Sequence, residues 1–275
     1  MKLKKIIRSA VKLMKAKEMV PIPTPINTTD LLKEKVILIT GGSGGIGSAM
    51  AETFIRNGAK VIIAGRDKNK LEKVKDKLEN EKLQSIIINV KDVDSLPYKI
   101  KEAADIFGKI DVLVNAAGLV AHHKFLEMTE EEYDSIMNVN AKGTYFMSQA
   151  VAKYMIENHI KGHILNVTSS SALRPAWTPY QMSKWAVRGF TLGAADYLLP
   201  YGIIVNAIAP GPVATSMLGV HEGDSIYMEN QPSGRFAMPS EIADLAVMLI
   251  SDMGNLVVGD TLYATGGSGN LSYKF

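Results

Sequence analysis

The chain contains no cysteine, which excludes a disulfide framework and any thiolate metal site. Its five histidines show no metal-ligand spacing. No apolar run reaches the ~18 to 20 residues that span a bilayer, and the basic N-terminus lacks the continuous apolar stretch of a secretory signal. Tandem repeats are absent, and the only biased segment is the cluster Pro21, Pro23 and Pro25. These absences point to a soluble, cytoplasmic protein.

What remains is ordinary globular composition: 275 residues, 47% hydrophobic and 21% charged, enough chain for one large core. The net charge of +3 is unevenly spread. Residues 1–20 hold seven Lys/Arg against the single Glu18, a local +6, which leaves −3 on the other 255 residues. The main domain is therefore not a binder of nucleic acid or other polyanions. Within 1–20, Leu3, Ile6, Ile7, Ala10, Val11 and Met14 recur at helical spacing among lysines, which predicts a basic amphipathic helix. Three readings of it stay open: packing on the domain or a neighbouring subunit, weak contact with a membrane surface or partner, and targeting. The prolines predict an extended connector over 21–30, with a single main domain expected over 31–275.

Seven short Val/Ile/Leu-rich runs read as strands, at 36–40, 61–64, 85–90, 110–115, 163–168, 203–208 and 261–264. Most are continuously apolar, as strands buried on both faces are. Segments of helical period lie between them, including 49–57, 71–83, 130–158, 180–199 and 239–251. Strand and helix in alternation predict an α/β fold, a Rossmann-type doubly wound parallel sheet with helices on both faces.

The first strand runs into Thr40-Gly41-Gly42-Ser43-Gly44-Gly45-Ile46-Gly47 and then a helix. In that context a glycine turn lets backbone and helix N-terminus approach a dinucleotide pyrophosphate. Three registers fit: Gly42, Gly44 and Gly47 in the dinucleotide pattern; Gly41, Gly44 and Gly47 in that of nucleotide-sugar epimerases; and Thr40-Gly41 with Gly45 and Gly47 in that of short-chain dehydrogenases. The turn by itself does not choose among them.

Tyr180 and Lys184 stand at i and i+4, on one helical face. An ammonium beside a phenol favours the phenolate and lowers a pKa that is otherwise about 10, which suits a proton-transfer pair. Taken alone such a pair is an ordinary helix surface. The strand ending in Asn166-Val167-Thr168-Ser169 delivers a hydroxyl to the crevice where open α/β sheets bind ligands, although Ser169, Ser170 and Ser171 are also turn formers.

With these pieces in order, the chain from about residue 31 to 267 resembles the short-chain dehydrogenase/reductase (SDR) family. The resemblance rests on Thr40-Gly41-x-x-x-Gly45-x-Gly47, Asn115-Ala116-Ala117-Gly118, Asn140, the Ser169 strand, Tyr180-x-x-x-Lys184, Asn206 with Pro210-Gly211, and Gly266-Gly267. It implies an NAD(P)(H)-dependent oxidoreductase that moves a hydride between nicotinamide and a carbonyl or hydroxyl substrate, of the NADPH-dependent ketone or 3-oxoacyl reductase type. It implies Tyr180 as general acid in reduction and base in oxidation, and Ser169 polarising the carbonyl. Lys184 would lower the tyrosine pKa and hold the nicotinamide ribose, and Asn140 would hold a proton-relaying water. The cofactor would lie along Thr40, Gly41, Ser43, Gly44, Gly45, Ile46, Gly47, Arg66, Asn89, Val90, Asn115, Ala116, Gly118, Tyr180, Lys184, Pro210, Gly211, Val213 and Thr215. A homodimer or homotetramer is implied as well. Three departures stand out: Ala116 where the family commonly has a second asparagine, a serine-to-tyrosine spacing of 11, and Asn89 where an aspartate is frequent.

At the end of the second strand, where an acidic residue would accept bonds from a ribose 2′-hydroxyl, the chain has Gly65 followed by Arg66. A guanidinium binds a 2′-phosphate that a carboxylate would repel, so NADP(H) is favoured over NAD(H), with Asp67 one place further on. Residues 119–125, 173–179 and 212–236 should form the substrate pocket, the last as a lid. Trp177, Met217, Leu218, Tyr227 and Met228 suggest a partly apolar lining. Two alternatives are a nucleotide-sugar epimerase or dehydratase and a dinucleotide-sensing scaffold without turnover. The short run after Gly211 argues against the first, and the intact Ser169, Tyr180 and Lys184 against the second.

Overall fold

The computed structural model describes residues 30–221 and 223–271. The amphipathic helix expected at 1–20 and the connector through residue 29 lie outside them.

Seven strands, β1 (Val36–Thr40), β2 (Lys60–Gly65), β3 (Leu83–Ile87), β4 (Val112–Asn115), β5 (His163–Val167), β6 (Ile204–Pro210) and β7 (Thr261–Ala264), form one sheet in the order β3-β2-β1-β4-β5-β6-β7. Every pairing is parallel, as the alternation of strand and helix requires, since a parallel return needs a crossover. Seven helices make the crossovers: α1 (Gly45–Arg56), α2 (Lys68–Leu78), α3 (Leu96–Phe107), α4 (Glu130–Met137), α5 (Thr144–Glu157), α6 (Pro179–Leu198) and α7 (Pro239–Ile250). Because successive strand side chains point to opposite faces, each strand feeds two cores. Ile37, Ile39, Ile63 and Val114 pack with Met50 and Phe54 of α1 and Ile242 and Ala246 of α7. Leu38, Ile62, Leu113 and Ile164 pack with Ile100 of α3, Met147 and Val151 of α5 and Leu198 of α6. Each such fully buried Leu, Ile or Val contributes about 1.5–3 kcal/mol.

β1 lies between β2 and β4, with Thr40 opposite Ala64 on one side and Asn115 on the other. The chain thus leaves β1 toward one edge and β4 toward the other, which opens a crevice above their C-terminal ends.

Several element ends differ from the sequence reading by a few residues, and four differences have a visible cause or consequence. Helix α2 stops at Leu78 rather than 83, because Glu79 takes the left-handed conformation (φ 42°) and a turn from Leu83 N–H to the Asn80 carbonyl starts β3 early. β3 ends at Ile87 rather than 90, because its partner β2 ends at Gly65. Helix α3 was not singled out from the sequence; Pro97 sits in its first turn, where a missing N–H costs nothing, and Gly108 (φ 86°) ends it. The helix expected over 130–158 is interrupted by a π-helical segment, Asn138–Gly143. No helix among the described residues is long and apolar enough to cross a membrane.

At the opposite end of the sheet from the crevice, His163 begins β5, buried, with Nδ1 lacking a hydrogen-bond partner. Burial, aided by Lys35 and opposed by Asp252, pushes its pKa down to about 4, against about 6.5 for a free imidazole. Between those values the unfolded chain binds a proton that the folded chain refuses, so stability falls as pH drops from 6.5 toward 4. Denaturant melts at pH 7 and 4.5 should show wild type losing about 2–3 kcal/mol more than His163→Gln over that interval; equal losses would clear His163 of this role.

Candidate active site

The crevice is a cleft of about 300 Å³ whose lining includes Gly41, Gly44, Gly45, Ile46, Gly47, Ala116, Gly118, Ser169, Tyr180, Lys184, Pro210, Gly211, Val213 and Thr215. Residues from four strand ends and from α6 therefore meet there, although they are spread over some two-thirds of the chain.

On its glycine side, Gly41 adopts φ +67°, and a Cβ there would lie 2.7 Å from the backbone of Ala117. A Cβ on Gly47 would lie 2.4 Å from the Gly41 carbonyl oxygen. The turn is packed solid around glycines, as backbone approach to a pyrophosphate demands. Of the three registers left open by the sequence, the one made of Gly41, Gly45 and Gly47 uses only positions where a Cβ would come within 3 Å of another atom, whereas at Gly44 the nearest atom would be 3.3 Å away. Helix α1 is N-capped by Gly44 without any side-chain hydrogen bond and carries no acidic residue in its first turn. Its leading N–H groups and positive dipole end are available to an anion. The residues present thus fit a dinucleotide diphosphate.

Around this turn the neighbouring strand ends are tied down. The Thr40 hydroxyl donates to the Val114 carbonyl (3.4 Å) and accepts from Ala117 N–H (3.3 Å). The Asn115 amide donates to Ser148 Oγ and Asn166 Oδ1, both at 2.9 Å. These bonds hold the Asn115–Gly118 segment although Ala116 offers no side-chain amide.

Beyond β2, Ser43 Oγ faces Gly65, within 3.7 Å of where a Cβ on that glycine would be. Arg66 is exposed and, among the described residues, forms no ion pair or hydrogen bond. Asp67 is the N-cap of α2 and accepts from Lys70 N–H at 3.1 Å. That bond gives Asp67 a structural occupation and leaves the guanidinium as the free charge. Asn89, exposed beyond β3, closes a turn by accepting from Lys91 N–H (3.2 Å), while buried Val90 packs against Gly143 of the π segment.

Tyr180 and Lys184 sit in the first two turns of α6. A reciprocal cap fixes the start of that helix: Gln181 N–H donates to Thr178 Oγ1, and Gln181 Oε1 accepts from Thr178 N–H, with Pro179 preset to helical φ. Lys184 is buried and its Nζ donates to the Val167 carbonyl at the end of β5 (2.9 Å); burial pushes its pKa down to about 8, so it is still a cation at neutral pH. Its Nζ is 5.6 Å from the Tyr180 ring centroid. The phenol does not follow the sequence expectation. Burial raises its pKa above the ordinary tyrosine value, and a hydrogen bond with Ser169 offsets only part of that rise. Ser169 Oγ also accepts from Ser171 N–H (3.1 Å), which aims it across the cleft and makes it the serine of the three that meets Tyr180.

Asn140 lies in the π segment and is buried. Its Oδ1 accepts from Leu119 N–H (2.8 Å), and its Nδ2 donates to the Leu119 carbonyl (2.9 Å) and to Ser183 Oγ (3.1 Å). Both amide donors are used, so the side chain is first a clamp that joins the loop after β4 to α6. A Cβ placed on Gly118 would be 3.6 Å from Asn140 Oδ1 and 3.8 Å from Lys184 Nζ; both atoms face the space over that glycine.

Sequence reasoning missed several participants. Thr168 Oγ1 donates to the Lys184 carbonyl (2.9 Å), which ties α6 to the end of β5, and within α6 Ser183 Oγ donates to the Tyr180 carbonyl (2.6 Å). Arg174, inside the segment 173–179 expected at the pocket but not singled out in it, and Ser268 line the cleft, joined by a 2.7 Å bond. No local pattern marks these four residues. Of the apolar residues expected in the pocket, Met217 and Leu218 line it, whereas Trp177, Tyr227 and Met228 do not.

Residues 35–224 match the family described as short chain dehydrogenase. The chain is 35% identical over 242 residues to a 3-oxoacyl-(acyl-carrier-protein) reductase of Thermotoga maritima, an alignment covering 86% of this chain and 98% of the relative. It is 34% identical over 241 residues to a (2S)-((R)-hydroxy(phenyl)methyl)succinyl-CoA dehydrogenase subunit of Thauera aromatica, covering 86% and 97%. Among solved structures, a 3-ketoacyl-(acyl-carrier-protein) reductase of Brucella melitensis complexed with NADH superimposes with a TM-score of 0.80 at 31% identity, covering 86% and 99%.

Proposed function

This chain belongs to the short-chain dehydrogenase/reductase family and is an oxidoreductase acting on CH–OH groups with NAD(P), and from that premise we propose that it works as an NADPH-dependent reductase of 3-oxoacyl-type ketones. The observation that carries the reading is the meeting of Ser169, Tyr180 and Lys184 on the wall of a cleft whose other side is an uncapped helix N-terminus behind a glycine turn. A nicotinamide dinucleotide held there supplies the hydride.

The side chains of this protein do the rest. Ser169 donates to the substrate oxygen and fixes the carbonyl against Tyr180. The phenol, kept protonated by burial, donates its proton to that oxygen as negative charge develops there, which suits the reductive direction. Lys184, cationic and tied to the Val167 carbonyl, stabilises the phenolate left behind and reaches the ribose. Asn140 Oδ1 and Lys184 Nζ share the space over Gly118, and a water there returns the proton from solvent. Arg66, free while Asp67 is engaged as a helix cap, takes a 2′-phosphate. The Brucella melitensis relative was solved with NADH, so the support for NADPH is this chain's own Arg66. A 3-oxoacyl substrate is supported by the names of the relatives.

The same proposal includes self-association. α5 and α6 expose a groove of about 630 Å³ lined by Tyr145, Phe190, Tyr197 and Tyr201, and Cβ atoms added at Gly189 and Gly193 of α6 would meet nothing. A second copy can approach that helix closely.

Three outcomes are expected. Fluorescence titration should give NADPH at least tenfold tighter binding than NADH, and Arg66→Ala should remove that margin of ~1.4 kcal/mol; NADH binding as well or better in wild type would make Arg66 a bystander and refute the NADPH preference. Tyr180→Phe should retain NADPH binding yet lose roughly 10²- to 10⁴-fold in turnover of a 3-oxoacyl thioester, with near-normal turnover excluding Tyr180 as the acid. Light scattering should show a dimer or tetramer that Gly193→Arg converts to smaller species, whereas a wild-type monomer would refute assembly through this face.

A further inference from the structure

Resting on the reductase reading, we propose that Arg174 selects the substrate: the cleft takes a carbonyl compound that carries an anionic oxygen group, and this guanidinium binds it. Arg174 and Lys184 are the only charged residues lining the cleft, and neither Asp nor Glu lines it among the described residues. Lys184 is buried and engaged with the Val167 carbonyl. Arg174 is the exposed cation, so an anion arriving in the cleft meets one open positive charge and no opposing carboxylate.

The guanidinium is held in place rather than waving in solvent. Its Nη2 donates to Ser268 Oγ at 2.7 Å, and that serine is buried. Its backbone is fixed at both ends, with N–H donating to the Ser171 carbonyl (3.3 Å) and the carbonyl accepting from Trp185 Nε1 (2.9 Å). Gly269 (φ +91°) leaves room for it, since a Cβ there would lie 3.5 Å from Arg174 Nε and 3.2 Å from the Ser170 carbonyl oxygen. A pre-placed planar fork with donors to spare is suited to a carboxylate or phosphate. Arg174 lies in the loop that leads from Ser169 to Tyr180, and in the reductase reading the diphosphate and the 2′-phosphate have their own partners at α1 and Arg66. The anion it meets therefore belongs to the substrate, either as a free carboxylate or as a phosphate of a thioester carrier.

The test compares 3-oxobutanoate, its uncharged ethyl ester and its coenzyme A thioester. Binding to the protein with NADP⁺ present is read by quenching of tryptophan fluorescence, Trp185 being bonded to Arg174, and turnover by NADPH oxidation. Wild type should bind at least one anionic form tenfold or more tightly than the ester. Arg174→Ala should abolish that margin while leaving the ester's affinity unchanged, and Arg174→Lys should restore part of it. A margin confined to the acid identifies a carboxylate as the group read, and one confined to the thioester identifies the carrier phosphate. Wild-type protein that binds acid, ester and thioester alike, or binds none of them, overturns the proposal, as does a margin that survives in Arg174→Ala. Failure of the reductase reading is seen separately, as charge discrimination in binding without NADPH oxidation of any of the three.

Discussion

The pairing of β1 with β4 is the constraint on which the site depends. Because the two strands lie side by side and their crossovers leave in opposite directions, the space above Thr40 and Asn115 cannot be filled by a connecting loop. The backbone of the glycine turn then passes so close to Ala117 that no side chain fits at Gly41. Helix α1 starts beside it with unpaired N–H groups directed at the opening. A ligand that brings negative charge to that point supplies what the helix end lacks, so fold and dinucleotide binding share one physical origin.

The electrostatics of the opposite wall follow from burial. Lys184 remains a cation at neutral pH although burial brings its pKa to about 8, and it spends one donor on the Val167 carbonyl. Tyr180, partly buried at the cleft wall, is desolvated enough to hold its proton more firmly than a free phenol. On the proposed reading, an acid that is protonated before the substrate arrives is ready to donate, and the nearby ammonium offsets the negative charge that donation leaves on the phenol. Burial thus raises one group and lowers the other, so the phenol holds its proton more firmly than the ammonium does.

The π-helical segment shows how tertiary contacts override a local pattern. Helical period runs unbroken from 130 to 158, and nothing in it marks a widened turn. Yet Asn140 spends its amide on Leu119 and Ser183, and Gly143 lets Val90 press against the helix. The backbone accommodates both by relaxing over Asn138–Gly143. Arg174 is a second case. In sequence it is one more charge in a loop, and only the return of the chain at Ser268 and Gly269 makes it the open cation of an acid-free cleft.

The sequence by itself determined the layered α/β architecture, because continuous Val/Ile/Leu runs alternating with amphipathic segments can bury their apolar surface in few other ways. It also marked the glycine turn and the Tyr180/Lys184 pair, since spacings of a few residues fix geometry within one turn or one helix face. What only the tertiary structure decided were the matters set by residues far apart in the chain. Burial, not the neighbouring lysine, sets the direction in which the Tyr180 pKa moves; Ser169 rather than its two neighbours meets the phenol; Asp67 is drawn into capping and leaves Arg66 free. Each depends on desolvation or on a hydrogen bond across the sheet or helix end, and those energies do not exist until the partners are brought together.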